Sequence, residues 1–459
     1  MTPSNAPYDV LIIGAGVAGL EAGRLLAESG KTVAILEARD RIGGRIWTRE
    51  VPLDGSSAMP VELGAEFIHG LAPQVHAIAH QAGLQTYELD GSSLWFNDGQ
   101  WADGEEQQKE AGRVLDGLKE FLAEQPRGSD ATFDEYLKTK SIDGAIAQTA
   151  TNYVEGFNAA DKNRIGIAGL NKQQQAEEAI DADRIFRVRT GYTGIPSFLA
   201  RQFDRARGNL ILSTAAHTVR WKSGSVTVEA RHQSGASCMM QARRAVITVP
   251  LGVLQAAAIE FVPRPKEILR HANRLIMGSA VRMVLIFRKR FWSEWQMGSQ
   301  AVAVQAALKH LSFLFTPSEL PSTWWTHFPD ETAVLTAWAG GPKAKRLGPL
   351  ISAQDGGEAL LNQCLGTLAK VFDCSPADLK GLLLSWHIHD WDRDEYARGA
   401  YSYVPVNALD APQELARPVE GTLFFAGEHT DTSGNWGTVH AALATGTLAA
   451  QKVLAADAC

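Results

Sequence analysis

Residues 8–19 of this chain read YDVLIIGAGVAG, an apolar run that ends in the pattern Gly-x-Gly-x-x-Gly. The run has the length and composition of a buried β-strand. A helical pattern follows over residues 17–29, Gly30 closes it, and a second strand is predicted over residues 32–36. The order strand, helix, strand predicts a βαβ unit, and with it an α/β fold.

The three glycines of this pattern have separate roles in a βαβ unit. Gly14 permits the tight turn after the strand, Gly16 lets the backbone approach a pyrophosphate, and Gly19 lets the helix pack closely on the strand. Glu37 ends the second strand, where a carboxylate binds a ribose 2′-hydroxyl and repels a 2′-phosphate. The pattern predicts a site for FAD or NAD rather than NADP, with a plain glycine-rich turn as the alternative.

The segment after Glu37 favours FAD. Residues 39–45 read RDRIGGR, so a Gly-Gly turn between arginines stands where an NAD domain would continue with further βα units. Two guanidinium groups beside a pyrophosphate suit a permanently bound dianionic cofactor, although a solvated basic loop would have the same composition. Residues 423–428, LFFAGE, are predicted to form the second half of the same flavin dinucleotide site.

The composition is that of an ordinary globular protein with room for two or more cores: 459 residues, 45% hydrophobic and 21% charged. The net charge of −7 gives no drive toward nucleic acid or anionic membrane. The longest apolar run, residues 245–262, contains Pro250 and Gly252 and is predicted to be a strand and a turn, not a membrane span. Residues 1–7 show no leader pattern, so a cytoplasmic location is expected.

Neither the cysteines nor the histidines predict a metal site. His387 and His389 have the spacing of two ligands on one strand face, but no companion ligand stands at metal spacing. Scattered cysteines without Cys-x-x-Cys spacing predict reduced thiols, so redox chemistry must come from a cofactor. These cysteines are Cys238, Cys364, Cys374 and Cys459.

The periodicity divides the chain into two discontinuous domains. Residues 73–183 have a largely helical, polar pattern, which predicts an inserted helical region. Over residues 209–249 the period changes to two, which predicts an antiparallel meander. The FAD-binding domain is assigned to residues 1–75, 200–265 and 395–459, and the substrate-binding domain to residues 76–199 and 266–394.

Two later strands predict a mixed sheet that roofs a substrate cavity. They cover residues 283–287 and 335–338. The chain then returns to the cofactor domain with a strand over residues 422–426 and a helix over residues 438–455. Aromatic side chains crowd the connections of the mixed sheet, namely Phe291, Trp292, Trp295, Trp324 and Trp325.

Ordered motifs along nearly the whole chain resemble those of the flavin-containing amine oxidase family. Besides the first glycine pattern, they include residues 41–45 (RIGGR), 248–254 (TVPLGVL), 399–403 (GAYSY) and 425–430 (FAGEHT). The family includes monoamine oxidases, polyamine oxidases, L-amino-acid oxidases and lysine-specific histone demethylases. The resemblance implies a Rossmann-like FAD-binding domain with an antiparallel meander, joined to a discontinuous α+β substrate-binding domain.

The resemblance also implies which residues hold FAD. Glu428 matches the family acid that hydrogen-bonds the ribityl or pyrophosphate region, and the backbone of Val219 matches the position that pairs with adenine. Thr438 and Val439 begin a helix whose N–H groups point at the flavin N1 and C2=O edge, and Trp391 matches a tryptophan under the flavin. The other residues assigned to FAD are Gly14, Ala15, Gly16, Ala18, Gly19, Glu37, Ala38, Arg39, Gly43, Gly44, Arg45, Gly64, Ala65, Glu66 and Gly427.

Three residues are candidates for contact with the substrate. Tyr401 matches a family aromatic residue that forms one wall of a slot for the amine, and Trp436 is a candidate for the other wall, with core packing as the alternative. His69 matches a cavity residue of polyamine oxidases, with a structural histidine as the alternative.

The chain departs from the family pattern at two positions. Arg282 stands where relatives carry a lysine that holds a water at flavin N5, which puts the fast reaction of reduced flavin with oxygen in question. Ala400 stands where covalently flavinylated monoamine oxidases carry the linking cysteine, so FAD is expected to bind non-covalently.

The resemblance implies an amine oxidase. The amine α-hydrogen would pass as hydride to flavin N5, water would hydrolyse the imine, and oxygen would restore FAD and give hydrogen peroxide. The partners expected are a small-molecule amine and O2, without nucleic acid or membrane, and a homodimer is compatible with the sequence. The alternatives are an L-amino-acid oxidase, with Arg184, Arg187 or Arg189 as the carboxylate clamp, and a flavin-binding sensor or scaffold without oxidase activity.

Overall fold

The computed structural model describes residues 7–52, 58–126, 128–295, 302–351 and 355–457. Cys459 and residues 1–6, in which the sequence shows no leader pattern, lie outside the described residues. The chain forms two compact units. The first unit comprises Met1–Tyr87, Lys172–Met277 and Arg393–Cys459, and the second comprises Glu88–Asn171 and Gly278–Asp392.

The strands, numbered in chain order, are β1 Tyr8–Ile13, β2 Val33–Leu36, β3 Thr48–Val51, β4 Met59–Glu62, β5 Ile68–His69, β6 Thr86–Glu88, β7 Ser92–Asn97, β8 Gln100–Asp103, β9 Ile185–Val188, β10 Asn209–Ile211, β11 Thr214–Lys222, β12 Ser225–His232, β13 Ser237–Ile247, β14 Glu260–Val262, β15 Ile276–Met277, β16 Ala280–Phe287, β17 Leu311–Phe315, β18 Thr323–Trp325, β19 Val334–Gly340, β20 Leu383–Ile388, β21 Ser402–Tyr403 and β22 Leu423–Phe425.

The α-helices are α1 Val17–Glu28, α2 Pro73–Gln81, α3 Gly104–Glu124, α4 Phe133–Thr139, α5 Gly144–Phe157, α6 Ile167–Glu178, α7 Gly194–Arg205, α8 Leu251–Gln255, α9 Lys266–Ala272, α10 Val302–Lys309, α11 Gly341–Leu347, α12 Glu358–Val371, α13 Pro376–Leu382, α14 Ala411–Leu415 and α15 Val439–Asp457. Short 3-10 helices cover Phe291–Glu294, Gly348–Leu350 and Glu428–Thr430. Within the described ranges, no helix is both long enough and apolar enough to cross a membrane.

The first unit is built on a mixed sheet. In the described part of the chain its strand order is β10-β2-β1-β13-β12-β11-β14, and β22 also pairs with β13. The strands β10, β2, β1, β13 and β22 run parallel. Because the carboxyl ends of parallel strands meet at one edge, Gly14, Glu37 and Ala426 follow their strands at the same edge, where ligands bind in open α/β sheets.

Strand β13 joins the parallel sheet to the meander. Residues 237–242 of β13 pair antiparallel with β12, which in turn pairs antiparallel with β11. Residues 245–247 pair in parallel with β22. The antiparallel meander is therefore confirmed for β11 to β13, but the prediction was wrong for β10, which pairs in parallel with β2.

The alternation of apolar side chains along β1 builds a core on each face of this sheet. Val10 and Ile12 are fully buried in a cluster with residues of α1 and α15. Leu11 and Ile13 point the other way, into a cluster with Val219 and other residues of the meander. Burial on both faces explains why the strand is continuously apolar rather than alternating.

The second unit is built on a sheet that, among the described residues, has the order β20-β16-β19-β18-β17-β7-β8. The pair β17 and β7 is parallel, and the other pairs are antiparallel, so the predicted mixed sheet is confirmed. The prediction of a helical region over residues 73–183 was wrong for residues 86–103, which form β6, β7 and β8. The reason is a long-range pairing, since β7 is held by β17.

The compact units differ from the domain boundaries assigned from the sequence. Residues 76–87, 172–199, 266–277 and 393–394 belong to the first unit. Strand pairing explains most of the difference: β9 pairs with β5, and β15 pairs with β21. That the first unit binds the cofactor and the second unit binds the substrate remains a prediction.

Candidate active site

The turn after β1 forms an open cradle. Gly14 has a φ of +109°, a conformation that favours glycine, and its N–H donates to the Leu36 carbonyl at 2.8 Å. Gly16 caps α1 without a side-chain hydrogen bond, and a Cβ built there would meet no atom within 4 Å. A Cβ at Gly19 would instead lie 2.0 Å from the Gly14 carbonyl oxygen. The space beside Gly16, at the N-terminus of α1, is therefore open, which fits a pyrophosphate.

A second glycine turn lies against the first. Gly43 has a φ of +95° and donates its N–H to the Ala15 carbonyl at 2.9 Å, while Gly44 has a φ of +59°. A Cβ at Gly44 would lie 3.4 Å from the Gly16 Cα. The turn at Gly43 and Gly44 therefore lies directly beside the turn at Gly14 and Gly16.

Glu37 is buried at the end of β2 and shapes the first turn. Its Oε2 accepts a hydrogen bond from the Ala15 N–H at 2.7 Å, and its Oε1 accepts one from the Arg39 N–H at 2.9 Å. Each carboxylate oxygen has a further acceptor position, so Glu37 can also receive ribose hydroxyl groups. These acceptor positions fit the ribose hydroxyl groups of FAD.

The arginines of residues 39–45 are not a solvated loop. Arg39 forms a salt bridge with Asp394, and the Arg41 guanidinium lies 4.4 Å from the Trp47 ring centroid. Burial lowers the pKa of Arg41 to about 10, with the neighbouring charge of Arg39 adding to the effect. The basic-loop alternative is therefore not supported.

Glu428 ties three segments together. Its Oε1 accepts from Arg45 Nη1 at 2.9 Å, and the same nitrogen donates to the Ala400 carbonyl at 2.8 Å. Its Oε2 accepts from Ser402 Oγ at 2.6 Å and from the Gly437 N–H at 3.0 Å. Burial alone would raise the pKa of Glu428, but Arg45 and the hydrogen bonds hold it below its usual range. We call this arrangement the Glu428 clamp.

The clamp positions Tyr401, which directly precedes Ser402. A Cβ at Gly437, whose φ is +78°, would lie 3.0 Å from Tyr401 Cδ2. The two segments held by Glu428 therefore pack directly on each other at the tyrosine ring. Burial raises the pKa of Tyr401, with the charge of Glu428 acting in the same direction, so the phenol is neutral.

Trp436 lies in the core of the first unit. It is 6% exposed and packs in the same apolar cluster as Val404 and Phe425. This burial fits the packing alternative, and the role of Trp436 as a wall of a substrate slot stays a prediction. The sequence alone could not decide, because a tryptophan beside a glycine turn suits either role.

The N-terminus of α15 follows the clamp. Thr438 Oγ1 accepts from the Ala441 N–H at 3.1 Å and donates to the Asn435 carbonyl at 2.6 Å, which makes Thr438 a helix cap. Val439 is the first residue of α15. The predicted start of this helix is thus confirmed.

Two histidines of the first unit have a pKa lowered by burial. His69 ends β5, and burial together with the charge of His440 lowers its pKa to about 4. His440 lies in the first turn of α15, and burial lowers its pKa to about 4 as well. Sequence reasoning missed His440, although its position directly after Thr438 and Val439 was a usable signal.

The loop between β4 and β5 carries Glu66, which forms a buried ion pair with Arg187 at 2.7 Å. Of the remaining residues assigned to FAD, Ala65 donates its N–H to the Arg45 carbonyl at 3.0 Å, and Gly427 donates its N–H to Thr445 Oγ1 at 3.0 Å. Val219 is buried in β11 between β12 and β14. Ala18 lies in α1, Ala38 follows Glu37, and Gly64 precedes Ala65.

Two predicted residues belong to the second unit. Arg282 lies on β16, is 5% exposed, and has its guanidinium carbon 5.2 Å from the Trp325 ring centroid. Trp391 follows β20 and is buried. Its ring centroid lies 4.4 Å from that of His389, in an edge-to-face contact. Their roles toward the cofactor and the amine stay predictions.

The parallel sheet, the bare glycine cradle and the buried acid at the end of β2 define a dinucleotide-binding protein of the FAD type. The chain belongs to the flavin-containing amine oxidoreductase family, whose sequence model, described as "Flavin containing amine oxidoreductase", matches residues 17–454. It is thus a flavin-dependent amine oxidoreductase with FAD as its cofactor, not a flavin-binding scaffold.

Several known proteins resemble the chain over nearly its full length. Polyamine oxidase 3 of Oryza sativa subsp. japonica is 27% identical, over 98% of this chain and 89% of that protein. Lysine-specific histone demethylase 1 homolog 1 of Arabidopsis thaliana is 28% identical, over 98% of this chain and 52% of that protein.

Solved structures share the fold. Wild-type putrescine oxidase bound to putrescine has a TM-score of 0.78 at 21% identity, covering 98% of this chain and 99% of that chain. Cyclohexylamine oxidase from Brevibacterium oxydans IH-35A has a TM-score of 0.75 at 20% identity, covering 98% and 100%.

Proposed function

We propose that the chain oxidises the C–N bond of a small amine and passes the electrons to O2. The Glu428 clamp carries this proposal, because it joins the glycine cradle, through Arg45, to the segments that hold Tyr401 and the start of α15. The family match over residues 17–454 supports the same reaction class.

The chemistry that FAD supplies when bound is two-electron oxidation: a hydride leaves the carbon beside the amine nitrogen, water hydrolyses the resulting imine to a carbonyl compound, and O2 takes up the electrons as hydrogen peroxide. Within the chain, Gly16 and the first turn of α1 would hold the pyrophosphate, and Glu37 would hold the ribose. The N–H groups at the start of α15 would stabilise negative charge on the flavin edge.

The protein favours the neutral amine, which is the form that can lose hydride. An alkylammonium ion has a pKa of ~10, and an apolar cavity lowers it by desolvation, so no dedicated base is required. Burial keeps the imidazoles of His69 and His440 and the phenol of Tyr401 uncharged. Ala400 offers no nucleophile to the flavin, in agreement with non-covalent FAD.

The arrangement does not favour an L-amino-acid oxidase. Such an enzyme needs an arginine that can clamp the substrate carboxylate. Arg187 is already paired with the buried Glu66 at 2.7 Å, and Arg189 stacks over the Tyr87 ring at 4.7 Å. Arg184 lies over the Phe186 ring at 5.2 Å.

Anaerobic reduction of the bound flavin tests the proposal. The purified yellow protein is mixed with primary amines, secondary amines, polyamines and L-amino acids, and the loss of oxidised-flavin absorbance is followed. Reduction by an amine and not by amino acids is expected; reduction by amino acids alone would overturn the assignment. Admission of air afterwards measures whether Arg282, at the usual lysine position, permits oxygen to reoxidise the flavin.

A further inference from the structure

The connection between β2 and β3 carries three arginines, and two of them are paired with carboxylates. Arg39 pairs with Asp394, and Arg45 pairs with Glu428. For Arg41, which is half-buried, no carboxylate of the described residues lies within ion-pair distance. Burial lowers the pKa of Arg41 to about 10, which still leaves the guanidinium charged at neutral pH. The protein thus keeps one positive charge of this connection without a carboxylate partner.

The Arg41 guanidinium binds carbonyl groups of its own loop. Its Nη1 donates to the Gly44 carbonyl at 2.9 Å, and the carbonyls of Ile42 and Ile46 accept from the same nitrogen at 3.3 and 3.4 Å. The guanidinium carbon lies 4.4 Å from the Trp47 ring centroid. A planar guanidinium can stack on an aromatic ring and donate hydrogen bonds in its own plane at the same time. Arg41 therefore ties both ends of the Gly-Gly turn together.

These contacts fix the directions in which two backbone N–H groups of the turn point. In a trans peptide, the carbonyl group and the N–H group of the next residue point in opposite directions. Because the Gly44 carbonyl faces Arg41, the Arg45 N–H points away from the guanidinium. The Gly43 carbonyl accepts from the Ile46 N–H at 3.0 Å, so the Gly44 N–H also points out of the loop.

The two outward N–H groups belong to a turn that lies against the cradle. Neither the Gly44 N–H nor the Arg45 N–H donates to any residue that the structure describes. A Cβ at Gly44 would lie 3.4 Å from the Gly16 Cα, and the Gly43 N–H donates to the Ala15 carbonyl at 2.9 Å. Backbone N–H groups need acceptors, and successive N–H groups of a turn form concave sites for anions. The turn therefore has the donors that a pyrophosphate requires.

We propose that Arg41 is a positioning residue for FAD, because it holds the turn in the shape in which the N–H groups of Gly44 and Arg45 can donate to the pyrophosphate. Its charge then acts across the turn, through the Gly44 carbonyl, and not by direct contact with a phosphate. The arginines differ in role: Arg45 joins the turn to the Glu428 clamp, whereas Arg41 sets the shape of the turn. This inference rests on FAD as the cofactor and does not depend on the proposed amine oxidation.

The test measures binding of ADP, which contains a pyrophosphate, and of adenosine, which lacks it, to the full-length apoprotein by calorimetric titration. Arg41→Met removes the guanidinium, Arg41→Lys keeps only its charge, and Arg49→Met changes an exposed arginine of β3 as the matched control. Arg41→Met should raise the dissociation constant for ADP about thirtyfold and leave that for adenosine unchanged. Arg41→Lys should raise the constant for ADP about tenfold, since an ammonium group lacks the planar geometry, and Arg49→Met should change neither constant.

Hydrogen exchange of the apoprotein over residues 42–47, followed by mass spectrometry, reports the shape of the turn without a ligand. The N–H groups of Gly43 and Ile46 close the turn and should exchange faster in Arg41→Met. Unchanged ADP binding, an equal loss of ADP and adenosine binding, or weaker ADP binding without faster exchange would each overturn the positioning role.

Full recovery of ADP binding in Arg41→Lys would show that charge alone matters and would also overturn the positioning role. If Arg41→Met does not fold, the comparison of Arg41→Lys with the unchanged protein decides the question by the same two measurements. Failure of every amine to reduce the flavin would overturn the proposed amine oxidation and leave the binding results standing.

Discussion

Gly16 and Gly19 belong to one motif, yet each meets a different requirement. A Cβ at Gly16 would enter empty space in front of α1, and a Cβ at Gly19 would collide with the Gly14 carbonyl oxygen at 2.0 Å. The first glycine therefore leaves room for a ligand, and the second leaves room for the protein itself.

Substitution by alanine should separate these two requirements. Gly16→Ala is expected to keep the fold and to weaken FAD retention, whereas Gly19→Ala should lower the free energy of unfolding by ~1–3 kcal/mol through overpacking. Urea unfolding of the apoproteins measures stability, and ultrafiltration measures retained flavin. A Gly16→Ala apoprotein as unstable as Gly19→Ala would refute this distinction.

Glu428 and Arg45 form one interaction unit. Glu428→Gln keeps the size of the side chain but leaves the Arg45 charge without its partner, which should lower the free energy of unfolding by about 3 kcal/mol. Arg45→Met should also destabilise, and the double variant should lose less than the sum of the single losses. Urea unfolding of the four apoproteins gives the coupling energy, and strictly additive losses would show that the two residues act separately.

At the scale of elements, α15 depends on its first turn. Thr438→Ala removes the hydrogen bond to the Ala441 N–H and should cost about 1 kcal/mol of unfolding free energy. Thr438→Ser keeps the hydroxyl group and should retain most of the stability. Thermal and urea unfolding compare the stability of the two variants. Equal losses of unfolding free energy in both would mean that packing of the Thr438 methyl group, and not the hydrogen bond of the cap, stabilises the helix.

Whether an element could be predicted depended on where its hydrogen-bond partners lie. The strand β1, the helix α1 and the helix α15 follow local periodicity and caps, and the sequence predicted all three. The strands β7 and β8 form a hairpin around Asp98 and Gly99, which both have positive φ, and this Asp-Gly turn is a local signal that the sequence prediction overlooked. The pairing of β7 with β17, more than two hundred positions away, leaves no such local pattern.

At the scale of the whole molecule, buried histidines couple stability to pH. Burial lowers the pKa of His69, His429 and His440 to about 4. In the unfolded chain these histidines take up protons below pH ~6.5, whereas in the folded chain they do so only near pH 4. Their contribution to the free energy of unfolding is therefore complete above pH ~6.5 and falls as the pH approaches 4.

His429, which is 1% exposed, should contribute the clearest part of this loss. His429→Leu is expected to reduce the stability lost between pH 8 and pH 5 by about 2 kcal/mol, because it removes one proton uptake by the unfolded state. His80→Leu changes an exposed histidine and serves as the control. Urea unfolding at both pH values gives the difference; an unchanged loss in His429→Leu would exclude this coupling.

The sequence by itself determined the βαβ unit and the dinucleotide cradle, because glycine spacing and strand and helix periods act between near neighbours. The reaction class followed from the resemblance of its ordered motifs to a known family. Tertiary structure alone decided that Arg45 meets Glu428, 383 residues away, that Trp436 joins the core, and that Trp324 and Trp325 point to opposite faces. These outcomes depend on strand register and on contacts between distant segments, where a shift of one residue moves a side chain from one face of a sheet to the other.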